Sequence, residues 1–445
     1  MKCAISGVDG RISSARVGHP LRRVAPLALV GVLVAGCGAV HASVDRSTAG
    51  YPPRKRAATT CRPPDRTLDT LAAQLKTGTV RLPEHRPVAE PMAPQGRVQL
   101  GIQANLRSRR GPDLGNVLMR MVSAHLHYSR EDFTWSTIEP RPGAFCWAQT
   151  DLWMYGAARA GIQIIAVPDA PPAWAEPNPT TAPTDPAGLR AYSAFVRELL
   201  GRYGSYGSFW NHHPTLHPNP ITFIDVWNEP YSRQFWTRSY PDPAGYAAMF
   251  EAVVRAARPV APRARFLLDA DTTSLTATGQ EPFLAAVLSA QPEIAKDAYA
   301  VSVHPYTSNG WGPSVCDTDG SVEARRFQLC RIQDVRNILN SHGASRVRLF
   351  ITELGWSTST ANPSGINSQG VVRYIHETFA LLRTRWKGLV SGLIWYDYQS
   401  PELNTHRLND FYGLVHPDGV PSSGWYALAE EAQIGIMSLG SSKLK

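Results

Sequence analysis

Ile162-Gln163-Ile164-Ile165-Ala166-Val167, a stretch over residues 187–203, and Ile221-Thr222-Phe223-Ile224-Asp225-Val226-Trp227 together decide the fold. The two apolar runs lack the strict polar alternation of a half-solvated strand, so they read as strands covered on both faces, as parallel sheets require. Between them Leu189, Tyr192, Val196, Leu199, Leu200 and Tyr203 recur at helical spacing. Further strands are expected at 98–102, 124–128 (ending at Arg130), 265–268, 299–303, 347–352 and 389–395, and further helices at 244–258, 322–339 and 371–385. Eight strands alternating with helices make an α/β protein, and a (β/α)8 barrel of the TIM type is the expected architecture. An open, doubly wound sheet is the other arrangement of the same units. Its nucleotide-binding forms lack support, because no glycine-rich phosphate loop follows any of these strands. No internal repeat stands out.

A chain of 445 residues with 43% hydrophobic and 18% charged residues is not disordered as a whole. The formal charge is +9, but residues 1–66 hold eleven Lys and Arg against three Asp, which is +8 of that total. The body of the chain is therefore close to neutral. A nucleic-acid partner is not expected, since the folded part carries no electrostatic footprint for one. Twelve tryptophans offer flat apolar faces of the kind sugars stack on, although Trp is equally core material.

Arg22 and Arg23 precede a short apolar run over residues 25–35, which is followed by Val34-Ala35-Gly36-Cys37. A basic flank, an apolar core and small residues describe an export segment, assigned to residues 1–42. The run is too short for a membrane span of about 20 residues. The tetrapeptide ending at Cys37 is similar to a bacterial lipobox, so Cys37 is the expected lipid-attachment site. Cleavage after Ala42 in Val40-His41-Ala42 is the alternative. The adjacent arginines match a twin-Arg signal poorly, and the first twenty residues read as an extended start. Contact with a membrane is expected only through that lipid, and the location is exported: a cell-surface lipoprotein, otherwise secreted. Residues 43–97, rich in Pro and Arg, read as a partly disordered tether with at most a short helix over 68–75. The barrel is expected over 98–434, with a tail at 435–445.

Cys3 and Cys37 lie in the export region, which leaves Cys61, Cys146, Cys316 and Cys330 for an oxidising compartment. Of the three pairings, Cys316 with Cys330 is preferred because those two bracket one short loop. None has metal-ligand spacing. His212, His213 and His217 cluster in a Pro-rich loop without a supporting carboxylate, so neither a metal nor any other cofactor is expected.

Active sites of such barrels lie at the C-terminal ends of the strands. The polar residues there are Arg130 after the second strand, Asn228 and Glu229 after the fourth, His304 and Tyr306 after the sixth, Glu353 after the seventh, and Trp395 after the eighth. Two carboxylates thus converge on one rim. Acetal hydrolysis needs such a pair: one protonates the leaving oxygen while the other attacks or stabilises the oxocarbenium-like centre.

Over about residues 98–429 the chain resembles the large (β/α)8 clan of retaining glycoside hydrolases. Asn228-Glu229-Pro230 after the fourth strand and Glu353 after the seventh, 124 residues apart, carry the likeness. Arg130-Glu131-Asp132-Phe133-Thr134-Trp135-Ser136-Thr137-Ile138-Glu139-Pro140 with Pro142-Gly143, and Pro172-Ala173-Trp174, look like family 39 and related family 5 enzymes. The resemblance implies an acid/base at Glu229 and a nucleophile at Glu353. It further implies a 2-hydroxyl ligand at Asn228, groups near nucleophile and sugar at Tyr306 and His304, a sugar platform at Trp395, and support for the nucleophile from Arg130. Glu139 reads as architectural, and Trp174, Trp236, Trp311 and Trp356 as either cleft or packing residues.

The expected function is an exported retaining O-glycoside hydrolase acting on an oligo- or polysaccharide. A catalytically silent carbohydrate-binding protein on the same barrel, a transglycosidase and a structural surface lipoprotein are the other readings. Residues 211–220 and 307–329 are long enough to block a cleft, which leaves exo or endo action, the sugar and the oligomeric state open.

Overall fold

The computed structural model describes residues 74–79, 81, 98–236, 240–270, 282–307, 312–313, 329–359, 365–400 and 411–440. The export segment, Cys37, Cys61, Cys316, Trp311 and most of the tether lie outside these residues. Among the described residues eight strands alternate with eight principal helices: β1 Gln99–Ile102, α1 Gly111–Ser123, β2 Tyr128–Thr134, α2 Ala148–Ala160, β3 Gln163–Asp169, α3 Pro186–Tyr203, β4 Phe223–Val226 and α4 Pro243–Ala257 form the first half. The second half is β5 Arg265–Ala270, α5 Phe283–Ala290, β6 Ala298–Val303, α6 Ile332–Ser341, β7 Arg348–Leu354, α7 Ser368–Arg383, β8 Val390–Trp395 and α8 Ser423–Gly440. All strands pair in parallel in sequence order, and β1 closes on β8 with Gln99 beside Gly392 and Ile102 beside Trp395. The sheet is therefore a closed barrel, not the open doubly wound alternative.

Local chemistry sets the helix starts. Asp185 accepts the backbone N–H groups of Ala187 and Gly188 at the head of α3, with Pro186 in the first turn. Asp242 caps α4 through Gly245 N–H in the same way, and Asn367 caps α7 through Gly370 N–H. α3 buries Tyr192, Phe195, Val196, Leu199, Leu200 and Tyr203, the face its sequence period predicts.

The barrel interior is layered by the two-residue period of the strands. Tyr128, Ile165, Phe223, Leu267, Ala300, Phe350 and Ile394, one from each of β2 to β8, form an apolar floor. Gly392 makes room for it, since a Cβ there would stand 2.0 Å from Phe350 Cε2. Two residues further along their strands come Arg130, Asp225, Asp269, Ser302 and Thr352, all buried. The floor thus carries a polar layer toward the C-terminal rim.

The second strand differs from its expected position. Residues 124–127 precede it, and it runs instead through the charged stretch Arg130-Glu131-Asp132. Those charges are admitted because each is answered. Glu131, 1% exposed, accepts from Ser129 Oγ at 2.6 Å and from Leu106 N–H at 2.8 Å, and Asp132 pairs with Arg107 at 2.9 Å. Helices α1, α2, α5 and α8 go beyond those expected. In α1, Leu114, Val117, Leu118 and Met121 do carry a helical period. In α2 the signal is blurred, because even Thr150 and Asp151 are buried.

Of the tether, residues 74–76 form a helical turn whose Leu75 packs against the main core. Cys146 and Cys330 are each disulfide-bonded. No described helix is long and apolar enough to cross a membrane.

Candidate active site

The residues expected to act on substrate are brought together on the barrel's C-terminal half. Arg130 and Glu353 lie within β2 and β7 rather than just past them. Register accounts for Arg130: it stands two residues above Tyr128 of the floor and so points inward from mid-strand. Asn228 and Glu229 follow β4, His304 and Tyr306 follow β6, and Trp395 ends β8.

Arg130 organises the floor of the site. Its Nε donates to Asp225 Oδ2 at 2.8 Å, Nη1 to Glu353 Oε1 at 2.6 Å and Nη2 to Asn228 Oδ1 at 2.8 Å. Burial opposes its charge, but Asp225, Glu353 and Asp269 outweigh that cost and hold its proton more tightly than usual. The second oxygen of Glu353 accepts from Tyr306 OH at 2.8 Å. Burial, reinforced by the Glu353 charge, keeps this phenol protonated well beyond its ordinary range, so it remains a donor.

His304 stands between the two glutamates. Its Nδ1 is 3.0 Å from Glu229 Oε1 and 3.6 Å from Glu353 Oε2. Burial alone would lower the imidazole pKa. The charges of Glu353 and Asp269 and the bond to Glu229 reverse that and push it up to about 9, so His304 is a cation at neutral pH. Glu229, His304 and Glu353 each bring an oxygen or nitrogen within 4.8 Å of the others, so the two carboxyl groups face each other closely. Asp225, Asp269 and His304 do the same one layer down. These clusters offer ligand atoms, yet Arg130 and His304 already supply fixed positive charge to them.

The turn after β4 is strained. Trp227 (φ 69°) and Glu229 (φ 43°) both adopt left-handed backbone, a cost of about 1–3 kcal/mol each for such residues. Trp227 is held by its indole N–H on Phe235 O at 2.9 Å, and Glu229 by its backbone N–H on Asp269 Oδ2 at 2.8 Å.

Trp395 does not meet the carboxylates in the same way. It is 0% exposed and lies against Trp356, ring centroids 5.6 Å apart. Glu139 is architectural, accepting from Trp135 Nε1 at 2.7 Å and Gly143 N–H at 2.8 Å. Trp236 is core, whereas Trp174 is 37% exposed. His213 packs on Phe209 at 4.5 Å between ring centroids. Sequence reasoning missed Asp225, Asp269, Ser302 and Thr352, which extend the network inward: Ser302 Oγ donates to Asp225 Oδ2 at 2.9 Å and bonds to the Thr352 hydroxyl. The available signal was a lone Asp inside an apolar strand, at Ile224-Asp225-Val226 and Leu268-Asp269-Ala270.

Fold and geometry together define a closed (β/α)8 barrel whose rim holds two facing carboxyl groups on a cationic floor. The sequence matches no protein-family model and no curated protein. Among solved structures the chain is similar to a family 39 glycoside hydrolase from the gut symbiont Bacteroides cellulosilyticus WH2, with TM-score 0.57 and 19% identity over 76% of this chain and 64% of that one. It is also similar to a glucosidase from Croceicoccus marinus (TM-score 0.56, 16% identity, 77% and 69% covered) and a monomeric beta-xylosidase from Caulobacter crescentus CB15 (TM-score 0.55, 17% identity, 77% and 69% covered). At these identities the likeness shows the shared barrel fold. The chain spans less than two thirds of the length of the family 39 enzyme.

Proposed function

We propose that the chain is a retaining O-glycoside hydrolase. The observation that carries this reading is the approach of Glu229 and Glu353 oxygens to within 4.8 Å of each other. Retaining enzymes place their carboxyls about 5–5.5 Å apart for direct attack, whereas inverting ones leave about 6.5–9.5 Å for a water. Glu353, held by Arg130 and Tyr306, forms the bond to the anomeric carbon as the glycosidic C–O bond breaks. Glu229 gives its proton to the departing oxygen. In the second step Glu229 takes a proton from water, which attacks the anomeric carbon and releases Glu353. Asn228, oriented by Arg130, is placed for the sugar 2-hydroxyl.

Aryl β-xylosides, glucosides and mannosides are the first substrates to try, the first two because similar barrels belong to a beta-xylosidase and a glucosidase. The test is an NMR time course on whichever is cleaved: retained configuration in the first-formed sugar supports the reading, and inverted product refutes it. Absence of turnover across the panel, with binding retained, favours the carbohydrate-binding alternative.

Export with lipidation at Cys37, and a Cys316–Cys330 disulfide closing the loop after β6, complete the proposal. Cys37→Ala should release the protein or leave it unprocessed. Wild-type fractionation and migration of that variant favours cleavage after Ala42.

A further inference from the structure

Asp269, next to the last residue of β5, touches no reacting atom in the mechanism above, yet it is built into the turn that carries the acid/base. Its Oδ2 accepts the Glu229 backbone N–H at 2.8 Å. Its own N–H donates to the Tyr246 hydroxyl at 2.7 Å, and that hydroxyl donates to Val226 O at 2.9 Å. The turn after β4 is thereby tied to β5 on both sides of Trp227 and Asn228. Asp269 is 0% exposed and Glu229 4% exposed, so no solvent takes over these bonds.

The other oxygen of Asp269 lies in a crowded polar layer. Asp269 Oδ1, Asp225 Oδ1 and His304 Nε2 are buried atoms without a hydrogen-bond partner among the described residues. Asp225 faces this carboxyl from β4, Arg130 from β2, His304 from the end of β6 and Tyr246 from α4. Burial raises its proton affinity most. The His304 charge pulls the other way, Asp225 pushes up again, and the net result is a carboxyl held well above the ordinary acid range. Of its two carboxyl oxygens only Oδ2 finds a donor among the described residues, and that donor is the Glu229 N–H.

We propose that Asp269 is a positioning residue: its carboxyl anchors the left-handed backbone of Glu229 and so aims the Glu229 proton at the leaving-group oxygen. The inference rests on Glu229 being the acid/base. It predicts damage confined to the step that needs a well-aimed proton. A leaving group that is already a weak base needs little donation, so it reports on the rest of the site.

The test compares Asp269→Ala and Asp269→Asn on two glycosides of the sugar cleaved in the aryl panel, one with a dinitrophenyl and one with an alkyl leaving group. Misplacing a catalytic group by about 1 Å costs about 10²-fold. Asp269→Ala should therefore lose about that much kcat/KM on the alkyl glycoside and under about threefold on the dinitrophenyl one. Asp269→Asn, whose amide oxygen still accepts from Glu229, should stay within about threefold on both. Equal losses of Asp269→Ala on the two substrates, or an Asp269→Asn as damaged as Asp269→Ala, would overturn the proposal. If Asp269→Ala does not fold, Tyr246→Phe loosens the same anchor from the far side. It should show the same leaving-group dependence, and an equal loss on both substrates again overturns the role. Glu229→Ala separates the two claims. Without leaving-group dependence there, the functional reading fails. With it there but not at Asp269, only the positioning role fails.

Discussion

Arg130 and Glu353 form a 2.6 Å ion pair in which the guanidinium is 1% exposed and the carboxylate 12% exposed. The same guanidinium also holds Asp225 and Asn228, so on the proposed reading it supports both the residue assigned as nucleophile and the one assigned to the sugar 2-hydroxyl. Arg130→Met leaves two carboxylates without their cation. Breaking a buried pair from one side costs about 3–5 kcal/mol, so the variant should show a clear fall in unfolding free energy by denaturant titration. Arg130→Lys should recover charge but not the three-pronged geometry, and restore less than half of that loss. A wild-type unfolding curve for Arg130→Met would contradict this account.

The two glutamates should be separable by azide. Glu229→Ala should keep dinitrophenyl glycoside cleavage far better than cleavage of a sugar leaving group, a gap of about 10²–10⁴-fold if the acid is lost. Azide should then attack the trapped intermediate and give a glycosyl azide of retained configuration. Glu353→Ala offers azide the vacated face and should give the inverted product. NMR of the azide adducts checks this, and exchanged stereochemistry would exchange the assignment.

Stability should fall as pH rises. His304 binds its proton with a pKa of about 9 in the folded protein against about 6.5 when unfolded. Its contribution is whole below about 6.5 and is lost as pH climbs through about 9. Glu131, pushed by burial to about 7 from an ordinary 4.5, acts in the same sense at lower pH: the unfolded chain releases this proton first, so folding loses ground between those values. Denaturant unfolding at pH 5, 7 and 9 should give a descending series. Glu131→Gln should make the first interval shallower, with buried Asp269 still acting in the same sense, and leave the second. A rising series would mean that these protons are not held as the burial implies.

Non-reducing peptide mapping should return Cys316 joined to Cys330. Closing a loop of that length stabilises by about 3 kcal/mol on the chain-entropy view. Recovery of Cys330 joined to another cysteine would redirect the loop assignment.

The alternation of strands and helices was legible because parallel strands covered on both faces leave unbroken apolar runs, as in Ile162 to Val167. The rim residues were legible because a polar group directly after such a run has little else to do there. Arg130 was expected at the end of a strand over 124–128 but lies inside β2, and Asp269 was missed, for a common physical reason. A charge inside a strand contradicts the apolar pattern unless its partners are known, and those partners come from strands far away in sequence: Asp225, Asn228 and Glu353 for Arg130, and the Glu229 backbone for Asp269. Trp395 was read correctly as a strand end. Its complete burial under Trp356 depends on how β7 and β8 pack, which no local pattern reports.

The apolar floor beneath Arg130 and His304 also settles how these charges feel dissolved salt. Side chains from seven strands, Tyr128 and Phe350 among them, form an apolar layer beneath the buried charges, a poor path for mobile ions. In open solution a charge is shielded over about 8 Å at physiological ionic strength, but buried pairs are shielded much less. For an uncharged glycoside, kcat should therefore stay nearly constant from dilute buffer to molar sodium chloride. The interior acts as its own supporting electrolyte, with arginine and imidazolium as fixed ions that cannot be diluted or exchanged.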